Sequence, residues 1–172
     1  SLIVTARNEE RLKDTMSFLE GKDHSYVIAD LSFEDDINRI VDSLPVIDGI
    51  VLSAGMIKTM PVKNISSKAI DEIFDVNIIS NIKLLSKLLK RKKLAHSASI
   101  VLISSVSAFN VKVGNSLYSS TKGAMNSFAK AMALEVAKLK IRVNCIQPGF
   151  IPSNILNKSG IEEDSMLRWY AE

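Results

Sequence analysis

The sequence predicts an α/β fold on a parallel sheet, and three observations carry that prediction. Short apolar runs recur along the 172-residue chain, longer stretches with helix-start signals separate them, and no internal repeat or low-complexity linker divides the alternation. Ser1-Leu2-Ile3-Val4-Thr5 reads as the first strand and residues 8–20 as a helix, with Asn8 at its N-cap and the Gly21 region ending it. A strand over 25–30, through Tyr26-Val27-Ile28-Ala29, leads into a helix over 33–43 with Ser32 as N-cap. Glu34, Asp35 and Asp36 in its first turn complement the helix dipole. A strand over 49–53 runs into Ser53-Ala54-Gly55, and a long helix over 66–93 follows. The apolar run from Ser99 to Ile103 gives a strand over 99–104 that delivers Ser104 and Ser105 to the sheet edge. A helix over 117–138 and a strand over 141–146 complete the order, and one domain accounts for all of it.

Composition narrows the function classes. The chain is 47% hydrophobic, enough apolar surface for a core, and its net charge is only +3. Its single cysteine, Cys145, lies in the last apolar strand and reads as a buried, inert thiol with no internal disulfide. No apolar stretch approaches the length of a membrane span, and the opening residues form neither a signal nor a transit peptide, so a cytoplasmic enzyme without a membrane partner is expected. The basic run Lys83, Lys87, Lys90, Arg91, Lys92, Lys93 reads as helix-end cations rather than a nucleic-acid surface. His24 and His96 stand alone, with no carboxylate or cysteine at ligand spacing, so no metal site is expected.

The chemistry concentrates in Ser105 and in Tyr118-Ser119-Ser120-Thr121-Lys122. Residues four apart share a helix face, so the Lys122 ammonium should lie beside the Tyr118 phenol and favour its ionised form. A phenol ordinarily titrates near ~10, and a neighbouring cation brings it toward useful acid/base work near neutrality. Ser105 arrives at the C-terminal edge of a sheet, where ligands bind in open α/β folds.

With Leu52-Ser53-Ala54-Gly55, Val76-Asn77 and Pro148-Gly149 added, the chain resembles the short-chain dehydrogenase/reductase family, from Ser1 to about Ser153. The resemblance implies a Rossmann-like, doubly wound parallel sheet and an Asn-Ser-Tyr-Lys tetrad of Asn77, Ser105, Tyr118 and Lys122. Ser104 is the rival serine, but the spacing from Ser105 to Tyr118 fits the family pattern. It further implies Tyr118 as the acid of carbonyl reduction, Ser105 as a donor to the carbonyl oxygen, and Lys122 as the group that lowers the tyrosine pKa and bonds the nicotinamide ribose. Asn77 would hold a water in a proton relay. The plainer reading of Asn77 is a helix residue bonding neighbouring backbone.

Cofactor selection is read from Ala6-Arg7. Ala6 stands where an NAD-preferring site carries an acid, and Arg7 can hold a 2′-phosphate in a fork, so NADP(H) is preferred with NAD(H) as the lesser cofactor. Arg7 as a solvated helix-start residue is the plainer alternative. Asp30 fits either the adenine amino group or a helix cap. The resemblance also assigns Leu31, Ser53, Ala54, Gly55, Pro148, Gly149, Ile151 and Ser153 to the cofactor, with Ser153 following an unusual Pro152.

The chain departs from the family in one respect. Its seven glycines, Gly21, Gly49, Gly55, Gly114, Gly123, Gly149 and Gly160, are isolated and form no Thr-Gly-x-x-x-Gly-x-Gly turn. The expectation is a fragment that begins in the family's second strand, residues 1–172 being one partial domain without the family's first strand, its glycine-rich turn and its last strand. Such a chain should fold poorly, with an open buried edge, and by itself bind NADP(H) weakly or not at all. Two functions are carried forward. One is an NADP(H)-dependent reductase of a small-molecule ketone or a carrier-protein-linked 3-oxoacyl group. The other is an inactive fragment serving as a binding or assembly module. Specificity is expected from Phe109 to Ser116 and from the segment after Ile155 with Met166, Trp169 and Tyr170. The apolar face of helix 117–138 with Met125, Phe128 and Met132 suits either a homodimer or homotetramer contact or the subunit's own core.

Overall fold

The structure is a computed structural model that describes residues 1–149 and Ile151. Five parallel strands alternate with helices in the expected order. β1 (Ile3–Ala6) pairs with β2 (Ser25–Ile28), Ile3 opposite Ser25 and Ala6 opposite Ile28. α1 (Glu9–Ser17) joins them; the Asn8 side chain accepts the Arg11 amide at 2.9 Å, the expected cap, and Leu12 is its buried anchor.

α2 (Glu34–Ser43) follows, and here the cap differs from expectation. Phe33, without a side-chain bond, occupies the N-cap, because the Asp30 carboxylate takes the Ser32 amide at 2.9 Å and turns the chain before the helix. β3 (Ile47–Leu52), β4 (Leu94–Ile103) and β5 (Arg142–Ile146) form a second parallel sheet in that order. The single sheet expected from sequence is thus two parallel sheets among the described residues, β1-β2 and β3-β4-β5. One apolar cluster spans both: Val27 and Ala29 at the first sheet, Ile100 and Leu102 of β4, and side chains of α2, α4 (Ser80–Lys90) and α5 (Ser116–Glu135).

β4 begins five residues before the expected start. Ile47 pairs with Leu94 but Gly49 with Ser99, so β4 carries extra residues there, and Ser97 takes φ 69° to absorb them. A Cβ on Gly49 would stand 3.2 Å from the Ser99 carbonyl oxygen, which explains the glycine.

The expected helix over 66–93 is three pieces. α3 (Ser67–Phe74) is capped by Ser66, whose hydroxyl accepts the Ala69 amide at 3.2 Å; a π turn (Asp75–Ile79) then leads into α4. The apolar face of α5 resolves to core: Met125 and Met132 are buried and Phe128 packs against the same cluster, so these three contact their own subunit.

Candidate active site

The loop after β3 is fastened to the π turn by one side chain. Asn77 is fully buried; its Oδ1 accepts the Met56 amide at 2.7 Å, and its Nδ2 donates to the Met56 carbonyl at 2.9 Å and to Thr121 Oγ1 at 3.0 Å. Thr121 in turn donates to the Tyr118 carbonyl at 2.8 Å. Both amide donors of Asn77 are therefore used to join the β3 loop to the first turns of α5.

Lys122, on the same helix, is 4% exposed and donates from Nζ to the Ile103 carbonyl at 2.7 Å. Its ammonium stands 5.6 Å from the centroid of the Tyr118 ring, within cation–π range, so the two residues meet as the i, i+4 spacing predicts. Burial pushes the Lys122 pKa down from 10.5 to about 8, against a smaller opposite effect of Cys145, whose own thiol burial pushes up. A Cβ on Gly55 would lie 3.5 Å from Asn77 Oδ1 and 3.7 Å from Lys122 Nζ, ordinary contact distances that put Gly55 beside both groups.

The two serines after β4 are separated by their partners. Ser104 donates its hydroxyl to the Lys122 carbonyl at 3.2 Å, whereas Ser105 Oγ accepts the Ser107 amide at 3.1 Å and donates to nothing among the described residues.

At the edge of the first sheet, Arg7 Nη1 is 3.5 Å from Asp30 Oδ2, with the arginine side chain 72% exposed. Partial burial raises the Asp30 pKa, but Ser32 and the Arg7 guanidinium outweigh it and hold the carboxyl below its usual range. The Asp30 amide donates to Asp36 Oδ2 at 2.6 Å. Leu31 packs against the core, Ser53 and Ala54 are exposed, and the Pro148 carbonyl accepts the Val106 amide at 3.1 Å. Gly149 and Ile151 are exposed, and Ser153 lies outside the described residues, as do Met166, Trp169 and Tyr170.

A cavity of about 620 Å³ lies between Pro61-Val62 and the loop carrying Val111, Lys112 and Val113, floored by Ser119 of α5. Its walls include none of Asn77, Ser105, Tyr118 or Lys122. The residues missed by sequence reasoning are Met56 and Thr121. Thr121 lies within the hydroxyl run after Tyr118, and its bond from Asn77, 44 residues away, is one that no local spacing signals.

The family profile described as short chain dehydrogenase matches residues 1–164. The chain belongs to the short-chain dehydrogenase family. It is similar to carbonyl reductase family member 4 of Xenopus laevis, 32% identical over 147 residues covering 83% of this chain and 61% of that protein. It is similar also to the 3-oxoacyl-(acyl-carrier-protein) reductase FabG of Rickettsia felis, 26% identical over 157 residues covering 91% of this chain and 65% of the relative. Among solved structures, a short-chain dehydrogenase/reductase from Brucella melitensis superposes with a TM-score of 0.84 at 28% identity, covering 92% of this chain and 65% of that one. This short-chain dehydrogenase thus spans roughly two thirds of the length of these relatives. Among its described residues no helix is long and apolar enough to cross a membrane.

Proposed function

We propose that the protein is an NADP(H)-dependent oxidoreductase that reduces a ketone or 3-oxoacyl carbonyl to a secondary alcohol. The observation that carries this reading is the buried Lys122 ammonium against the Tyr118 ring, with the Ser105 hydroxyl, held by the Ser107 amide, at the neighbouring strand end. The names of the relatives, carbonyl reductase and 3-oxoacyl reductase, support the same reaction class.

The residues fit a nicotinamide dinucleotide at both ends of the strand edge. Arg7 and Asp30 would hold the adenosine end and Gly55, Lys122 and the Pro148-Gly149 segment the nicotinamide end. NADPH, when bound, supplies the hydride that adds to the carbonyl carbon. Tyr118 donates its hydroxyl proton to the carbonyl oxygen as charge develops there, and Ser105 donates a hydrogen bond to the same oxygen. Lys122 offsets the charge left on the phenolate. Asn77 keeps the β3 loop and Thr121 in place, so that the Tyr118 backbone is fixed.

Arg7 sets the cofactor preference. Its contact with Asp30 is exposed and 3.5 Å long, and pairs of that kind contribute about 0–1 kcal/mol, so a 2′-phosphate can draw the guanidinium away at little cost. Fluorescence titration of the protein and of Arg7→Ala with NADPH and NADH tests the reading. NADPH should bind more tightly than NADH, and the variant should lose that difference; binding of neither cofactor would favour an assembly module instead.

A further inference from the structure

The turn that presents Asn77 is itself held by two side chains outside the tetrad, and we propose that Ser80 and Asn81 are positioning residues for Asn77. The proposal rests on the tetrad reading above. In the π turn the Ser80 amide reaches back five residues to the Asp75 carbonyl, whereas α4 beyond Ser80 is an ordinary α-helix with four-residue spacing. Where the reach falls from five to four, the ladder of amides passes over one carbonyl. The carbonyls at that exit, Val76 and Asn77, both receive side-chain donors from the next turn. The Ser80 hydroxyl donates to Val76 O at 2.9 Å, and Asn81 Nδ2 donates to Asn77 O at 2.9 Å.

Ser80, Asn81 and Asn77 are all fully buried, so water has no access to replace either donor. Asn81 Oδ1 has no hydrogen-bond partner among the described residues, and the amide's Nδ2 is committed to the Asn77 carbonyl. The extra residue of the π turn also sets direction. Each residue advances a helix by about 100°, so closing the turn to α spacing would rotate Asn77 relative to the helix beyond it and break its alignment with Met56 and Thr121. The hydrogen bonds then run without a gap from Asn81 to Asn77, from Asn77 to Thr121, and from Thr121 to the Tyr118 carbonyl. Ser80 and Asn81 therefore act on the reaction through the placement of Asn77 and touch no reacting atom.

The test reads the Met56 amide, whose proton is held by Asn77 Oδ1, by hydrogen exchange on the full chain. Asn81→Leu should speed exchange at Met56 by about tenfold or more while Leu102, buried in β4 between β3 and β5, is unchanged, since a local opening exposes only its own amides. Ser80→Ala should act in the same direction, and Ser80→Thr, which keeps the hydroxyl, should restore the wild-type rate. In carbonyl reduction, Asn81→Leu should lower kcat with KM for NADPH unchanged. Unaltered Met56 exchange in both Asn81→Leu and Ser80→Ala would overturn the proposal, as would equal acceleration at Met56 and Leu102, which would mark a general loss of stability. Failure of the tetrad reading shows separately, as reduction insensitive to Asn77→Ala, and leaves the Met56 result to decide the positioning claim.

Discussion

The two strand edges of this molecule are built differently. Around β3 and β4 the polar groups are buried and committed: Asn77 is clamped on Met56 and Thr121, and Lys122 on the Ile103 carbonyl. Around β1 and β2, Arg7 projects into solvent and meets Asp30 across 3.5 Å. Proton transfer needs groups held in place before the substrate arrives, whereas selecting a phosphate needs only a cation free to reach it. Rigidity is thus spent where the proposed chemistry is, and the difference can be broken or sharpened from either side.

The largest effect is expected at Tyr118. Tyr118→Phe removes the proton donor but keeps the ring, and should lower carbonyl reduction about a thousandfold, the scale of general acid catalysis, with NADPH affinity unchanged by titration. Next comes Asn77→Ala, which strands the Met56 amide and carbonyl together with Thr121. Each stranded buried group costs about 1–3 kcal/mol, so with three stranded, urea denaturation should show a loss of roughly 3 kcal/mol or more even without cofactor. Arg7→Ala should weaken NADPH roughly tenfold, leave NADH alone, and change stability by no more than about 0.5 kcal/mol.

A further effect is a pH dependence. The Lys122 pKa is about 8 in the fold and 10.5 ordinarily, so between those values the unfolded chain binds more protons and stability rises with pH. Below about 8 both states carry the ammonium and the burial cost is constant. Denaturation midpoints at both ends of that window should show the wild type gaining on Lys122→Met as pH rises. Reduction should decline across the same window as the cation beside Tyr118 is lost.

The order of strands and helices was legible because apolar runs and caps such as Asn8 are local signals. The π turn was not, since residues 66–93 keep a helical pattern throughout, and the extra residue is stabilised by a clamp to Met56, 21 residues away. The cap of α2 was misplaced because the Asp30 carboxylate competes for the Ser32 amide. The basic run on α4 is answered by acids of α2, Lys87 with Glu34 at 2.9 Å and Arg91 with Asp42, pairings that sequence spacing hides. His24, isolated in sequence, accepts the Leu2 amide at Nδ1 and faces the Glu20 carbonyl at Nε2, which fixes Nε2 as its protonated nitrogen. Tyr118, Lys122 and Asn77 were readable as a set through the family resemblance, and the structure adds what joins Asn77 to Tyr118, namely Thr121. Met125 and Met132 were ambiguous because an apolar helix face looks the same whether it covers a sheet or a partner.

The most direct measurement is a single-turnover reduction of a 3-oxoacyl thioester with NADPH, followed by loss of nicotinamide absorbance, in wild type and Tyr118→Phe. The account predicts that both bind NADPH and only the wild type consumes it. Equal consumption by the two, or none by a wild type that binds both ligands, would contradict it.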